Sequence, residues 1–222
     1  DGWGISWASN IQSWMFKRAP EFFDVVCYLG NGVAGTTQAH NLGVVPEMMM
    51  VKRRTGTAKD WAVYYGDNTD YLVLNNDSAT SDDDARWNDT SPTSTVFTVG
   101  AGSAVNLAST NYIACLFATL AGISKVGSYT ADATLTTIDC GFAAGARFIW
   151  IKRTDAAGDW YLYDSLRGIV AGNDPYLITN TDAAQTTGTD YIDPDNSGFQ
   201  ITAAGSGTIN IDTATYIFLA IA

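Results

Sequence analysis

Glu47-Met48-Met49-Met50-Val51-Lys52-Arg53 reads as a strand, and 100 positions later the chain repeats it as Arg147-Phe148-Ile149-Trp150-Ile151-Lys152-Arg153. The echo extends outward on both sides. Asp60-Trp61 with Tyr64 is answered by Asp159-Trp160 with Tyr163, Tyr71-Leu72-Val73-Leu74-Asn75 by Tyr176-Leu177-Ile178-Thr179-Asn180, and Tyr112-Ile113 by Tyr216-Ile217. This period is too long for a solenoid unit of roughly 20 to 50 residues and suits whole small domains in tandem. We expect module one at residues 21–122 and module two at 123–222. Residues 1–20 then hold the closing strand of a preceding, truncated module, because Asn10 to Phe16 falls where such a strand belongs and Ala19-Pro20 to Tyr28 parallels Ala121-Gly122 to Tyr129. On that reading Asp1 is a cut inside a longer protein.

Periodicity points to strands nearly everywhere. Short runs rich in Val, Ile, Thr, Tyr, Phe and Trp recur at Val25–Leu29, Met48–Arg54, Trp61–Tyr65, Tyr71–Leu74, Thr95–Val99 and Tyr112–Phe117, and again in the second half. Each module holds about eight of them. Alternation in Trp61-Ala62-Val63-Tyr64-Tyr65 sends Trp61, Val63 and Tyr65 to one face and Ala62 and Tyr64 to the other. Gly30-Asn31-Gly32, Thr55-Gly56-Thr57, Ala157-Gly158-Asp159 and Gly205-Ser206-Gly207 carry turn chemistry. Helical spacing is weak, with only Ser78–Arg86 and Ala183-Ala184-Gln185 suited to a short turn. The expected fold is all-β: tandem antiparallel β-sandwich modules, jelly-roll-like, packed against each other because no long linker separates them.

Charge and composition narrow the partners. A net charge of −11 leaves too little Lys and Arg for a nucleic-acid or anionic-membrane partner. No apolar run reaches the roughly 18 residues of a membrane-spanning helix, so no membrane insertion is expected. With 46% hydrophobic and 16% charged residues, the chain reads as folded. Cys27, Cys115 and Cys140 align with Ser128, about Leu219 and His40 in the other module. No cysteine recurs, so a duplicated disulfide or metal framework is not indicated, and three unpaired, mostly buried thiols are expected. His40 is the single histidine and has no partner constellation for a triad or a zinc site.

A resemblance can now be placed. The runs Phe16-Lys17-Arg18-Ala19-Pro20-Glu21-Phe22-Phe23-Asp24-Val25-Val26, His40-Asn41-Leu42-Gly43-Val44-Val45-Pro46 through Lys52-Arg53-Arg54, and Cys140-Gly141-Phe142 through Lys152-Arg153 resemble a repeated module of tailed-phage virion proteins, found in tail fibres and other appendages. The likeness covers essentially all 222 residues and is most specific from Leu42 to Arg54. It implies a structural virion protein, part of a tail fibre, spike or capsid decoration, displayed outward for host attachment and partnered by other virion proteins. It transfers no catalytic residue. Module two has Ala143-Ala144-Gly145-Ala146 where module one has Gly43-Val44-Val45-Pro46, so a role for that loop need not extend to both. Phage fibres and spikes are commonly threefold, which implies a homotrimer. The residues separately call for a partner, because the strand at Ile11–Phe16 and Trp3, Trp7, Trp14, Phe22 and Phe23 have little to cover them.

The candidate sites follow from residue chemistry. Trp61, Tyr64 and Arg53, with their counterparts Trp160, Tyr163 and Arg153, could contact a host-surface glycan, since aromatic faces stack on sugar rings and neighbouring charges bond hydroxyls. The competing reading is that duplicated Trp and Tyr at period-two spacing form sandwich core. Lys52-Arg53-Arg54 and Lys152-Arg153 could grip an anionic glycan, or bridge to Asp60, Asp159 or Asp164 across a hairpin. Asp82-Asp83-Asp84 and Asp190 with Asp193-Pro194-Asp195-Asn196-Ser197-Gly198 have the composition of metal loops, but position 204 is Ala, not the closing Glu, and both are read as solvated turns. No metal and no cofactor is expected. A glycan-degrading spike enzyme needs a carboxylate pair; the only glutamates are Glu21 and Glu47, and Glu47 is answered by Arg147. The expectation is a non-enzymatic virion protein, with a dedicated carbohydrate-binding module as first alternative and a glycan hydrolase as second.

Overall fold

The computed structural model of the protein describes residues 13–222. Its first half contains β1 (Phe23–Leu29), β2 (Thr36–Ala39), β3 (Met48–Arg53), β4 (Ala62–Tyr64), β5 (Asp70–Val73), β6 (Ser81–Asp82), the single-turn helix α1 (Asp84–Trp87), β7 (Val96–Val99) and β8 (Asn111–Phe117). The second half contains β9 (Ser124–Thr130), β10 (Thr136–Asp139), β11 (Phe148–Arg153), β12 (Trp160–Asp164), β13 (Leu177–Ile178), β14 (Ile192–Asp195), β15 (Gly198–Ile201) and β16 (Thr215–Ile221). Every pairing between these strands is antiparallel. The protein is all-β and of sandwich type.

The large sheet of the first half runs β1-β8-β3-β4-β5-β6, and that of the second runs β9-β16-β11-β12-β13. The same pairings recur in the same order, with β6 added at one edge. A small sheet accompanies each: β2-β7 in the first half and β10-β15-β14 in the second. The repeated stretches are β3 and β11, interior strands of the two large sheets.

Their uninterrupted apolar character has a packing cause. A strand buried on both faces loses the alternation of a half-solvated one. Met49 and Val51 face a core shared with Phe97 and Val99 of the small sheet, while Met48 and Met50 face the second half. In β11, Ile149 and Ile151 face Phe199 and Ile201, while Phe148 and Trp150 face the first half. The layers therefore run small sheet, large sheet, large sheet, small sheet, with three cores between them. The expected alternation around Trp61 holds, since Trp61, Val63 and Tyr65 lie on the central core and Ala62 and Tyr64 on the first-half core.

Matched stacks anchor both sandwiches. Tyr28 stacks on Tyr112 at 5.2 Å and Tyr129 on Tyr216 at 4.9 Å between ring centroids. The Tyr28 and Tyr129 hydroxyls each donate to a backbone carbonyl at 2.7 Å, that of Val105 and that of Ile209. The sequences diverge where one large residue replaces two small ones. Val26 pairs with Ala114 in the first half, whereas Gly127 pairs with Phe218 in the second. A Cβ on Gly127 would sit 2.6 Å from the Phe218 ring, so the missing side chain makes room for it.

The N-terminal approach differs from expectation. Ser13–Arg18 forms no strand, which corrects the strand expected through Phe16; residues 10–12, Trp3 and Trp7 lie outside the described residues. Part of the argument for a partner also changes, because the chain covers its own aromatics here. Phe16 makes edge contacts with Phe117 and Phe148 at 5.5 and 5.6 Å, Trp14 lies edge-on to Phe148, and Phe23 is buried.

Candidate functional site: an aromatic cleft between the large sheets

The repeated Asp-Trp and distant Asn form a clamp at a hairpin edge. The Trp61 amide donates to Asn75 Oδ1 at 2.9 Å, and Asn75 Nδ2 donates to Asp60 Oδ1 at 2.8 Å. In the second half the Trp160 amide donates to Asn180 Oδ1 and Asn180 Nδ2 to Asp159 Oδ1, both at 2.8 Å. Each asparagine satisfies a backbone donor and orients a carboxylate, which accounts for the duplication of Asp, Trp and Asn without a ligand.

The six sequence candidates separate by exposure. Tyr64, Trp160 and Tyr163 are 3%, 0% and 0% exposed, so none presents a face to a sugar. Period-two spacing placed them in core, and Trp160 sits between the two large sheets with its Nε1 donating to the Val73 carbonyl at 2.9 Å. Trp61, at the matching position, stays half-buried, with the Lys52 ammonium 5.5 Å from its ring centroid. Arg53 and Arg153 are also half-buried.

Both Lys-Arg pairs hold the loops that follow them. Lys52 Nζ donates to the Lys59 carbonyl at 2.5 Å and Arg53 Nε to the Thr55 carbonyl at 2.8 Å. Lys152 Nζ donates to the Gly158 carbonyl at 2.7 Å and, across the halves, to the Asp77 carbonyl at 3.1 Å. Arg153 forms a fork onto Asp155, whose carboxyl is held down at about 2, chiefly by that pairing. The expected bridges to Asp60, Asp159 and Asp164 are thus replaced: Asp164 pairs with Arg167, and the lysines bind carbonyls. Lys152 is fully buried, and desolvation lowers its pKa to about 8.

Beside the central core lies a cleft of about 330 Å³. Trp14 and Phe16 line it from the N-terminal segment, Met50 and Trp61 from the first half, and Trp150 and Phe148 from the second. Its polar groups are already engaged, since Thr179 Oγ1 accepts from Trp150 Nε1 at 3.0 Å and Asn75 serves the clamp. On another side of Trp61 is a smaller recess of about 150 Å³ where Lys59, Asp60, Tyr71, Arg86 and Ser103 meet the indole. The Arg86 guanidinium lies 4.4 Å from the Tyr71 ring centroid. This recess combines an aromatic face with charged hydrogen-bonding groups, and its Arg86 was not singled out by the repeat because it has no counterpart in the second half.

The acidic loops resolve into local structure. Asp83 caps α1 by accepting from the Ala85 amide, and Asp195 accepts from the Ser197 amide and hydroxyl in the β14–β15 turn. His40 accepts from the Leu42 amide through Nδ1 and faces the Thr93 carbonyl through Nε2, so it supports a turn. Among the cysteines Cys140 is buried, Cys115 half-buried and Cys27 exposed, the last against expectation.

The layers, cleft and recess define an all-β sandwich protein whose repeated polar residues mainly brace its own loops. Residues 8–222 match the family described as Domain of unknown function (DUF7483), and the chain belongs to that family. No curated protein and no solved structure matches it.

Proposed function

We propose that this chain is a structural unit of a phage virion appendage, a segment of tail fibre, spike or capsid decoration, displayed outward and contributing to host-surface attachment. The resemblance at Leu42–Arg54 motivates the setting. The observation supporting a load-transmitting role is the central core: two large sheets joined back to back through Phe23, Met50, Phe117, Phe148, Trp160 and Leu219, so that the halves resist relative motion. Glycan contact, the alternative function, is favoured by one feature, the Trp61 recess with Lys59, Asp60 and Arg86. The role is structural and non-catalytic, its partners are other virion proteins, and its assembly is threefold by analogy with appendages.

Mass spectrometry of purified particles, together with imaging that traces the chain, tests the setting; absence of the chain from particles overturns it. Solution mass at micromolar concentration tests assembly, and a stable single 23.8 kDa species excludes the trimer. For attachment, the purified protein is expected to compete with particles for host cells, and Trp61→Ala to weaken that competition.

A further inference from the structure

Six buried side-chain polar atoms among the described residues lack a protein hydrogen-bond partner, and four of them belong to Tyr163, Asp174, Thr189 and Asp190. These residues share one region. The Asp174 amide donates to the Thr189 carbonyl at 2.8 Å, and the charge of Asp174 bears on the Tyr163 hydroxyl. Asp174 is 0% exposed; its Oδ1 accepts from the Val170 amide at 2.8 Å, the Ile192 amide also stabilises the carboxylate, and Oδ2 has no hydrogen-bond partner of good geometry. Asp193 is close enough to act on it electrostatically, and its own Oδ1 accepts from the Gly172 amide at 3.2 Å. Gly172, at φ +114°, allows the chain to turn there.

No cation among the described residues pairs with these carboxylates. The four ion pairs among the described residues involve Asp24, Asp83, Asp155 and Asp164. Backbone amides alone do not balance a buried carboxylate charge, so a cation or a proton must neutralise it. Unpartnered buried polar atoms are few in folded proteins, and four of them in one region call for a specific occupant.

We propose that this cluster is a divalent-cation site of calcium type, with Asp174 and Asp190 as anionic ligands and Thr189 as a neutral one. The donor set is entirely oxygen, which suits a hard ion. No group of three Asp, Glu, His or Cys side chains is arranged as a metal cage among the described residues. The shell therefore combines two carboxylates with hydroxyl, carbonyl and water oxygens, a mixture that calcium accepts. Asp193 adds negative charge from just outside, and the ion would tie the Gly168–Asp174 loop to Thr189–Asp193. The Asp195 turn, which looks more like a metal loop in sequence, is not part of the site.

Calorimetric titration of the EDTA-treated chain with calcium chloride at pH 8 tests this. One site per chain and a raised Tm are expected. Asp174→Asn preserves shape and removes the buried charge; it should weaken calcium binding at least tenfold and abolish the Tm rise, while Asp195→Asn retains both. Asp190→Asn, at a half-buried position, supplies the same comparison if the first variant does not fold. The proposal is overturned by no calcium response in the native chain, by a response that survives both ligand variants, or by a Tm that follows pH through about 7 and ignores calcium, which would assign neutralisation to a proton on Asp174.

Discussion

The Trp160 indole donates to the Val73 carbonyl at 2.9 Å, a bond from one half of the chain to the other. Trp61 occupies the same place in the repeat and remains half-buried beside Lys52. Duplication supplied two equivalent tryptophans, and face-to-face packing gave them different environments. One joins the halves; the other lines an accessible cleft.

Truncating them should therefore have unequal effects. Trp160→Ala removes a fully buried indole and is expected to cost about 3–5 kcal/mol in denaturant unfolding. Trp61→Ala should cost less, about 1–2 kcal/mol, because its ring keeps solvent contact. Equal losses would show that the two positions are energetically alike and would remove the structural reason for assigning any surface contact to Trp61.

The clamps give a second comparison. Asn180→Ala strips a partner from the Trp160 amide, which lies beside a buried ring, whereas Asn75→Ala does the same at an exposed edge where water can substitute. An unsatisfied buried donor costs about 1–3 kcal/mol, so the first change should fall in that range and the second below it. Thermal melts of the two variants decide this, and a larger loss for Asn75→Ala would contradict it.

Much of the fold was legible because Met48-Met49-Met50-Val51 and Phe148-Ile149-Trp150-Ile151 are short, repeated and bounded by turn residues, and so carry the mark of strands; that they lie inside their sheets and are covered on both faces came from the packing of the two halves. The strands that carry no such mark, Thr36–Ala39 and Ser81–Asp82, lie at exposed edges where polar residues suffice and no apolar pattern is required. The sites were harder to read. A repeated Asp, Trp or Lys looks the same in sequence whether it binds a ligand or its own backbone. Asp174 and Arg86 recur nowhere and so gave no signal in the repeat, since their surroundings are assembled from neighbouring loops whose approach no periodicity announces.

Thiol chemistry offers a check on the layers. Cys27 is exposed, Cys115 is half-buried with its pKa raised by burial, and Cys140 is buried with its pKa pushed up to about 12. The thiolate is the reactive form. A maleimide at neutral pH should label Cys27 quickly, Cys115 slowly and Cys140 only after unfolding. Rapid labelling of Cys140 in the native chain would mean that the β10–β15 sheet does not cover it.

Lys152 provides a pH dependence whose sign can be worked out. Unfolded, its ammonium titrates near 10.5; folded, desolvation brings it to about 8. Between those values the unfolded chain holds a proton that the folded chain has released, so this residue makes the fold more stable as pH rises from about 8 to 10.5, with a limiting slope of about 1.4 kcal/mol per pH unit. Below pH 8 both states are protonated and the penalty for burying the charge is present in full. Tyrosines with raised pKa act in the opposite direction near pH 10, because the folded chain then keeps protons that the unfolded chain loses. The measurement must therefore be a difference. The stability of the native chain minus that of Lys152→Met, followed by urea unfolding from pH 7 to pH 10, should shift in favour of the native chain above pH 8. A difference that stays flat over that range would show that Lys152 does not lose its proton there on folding.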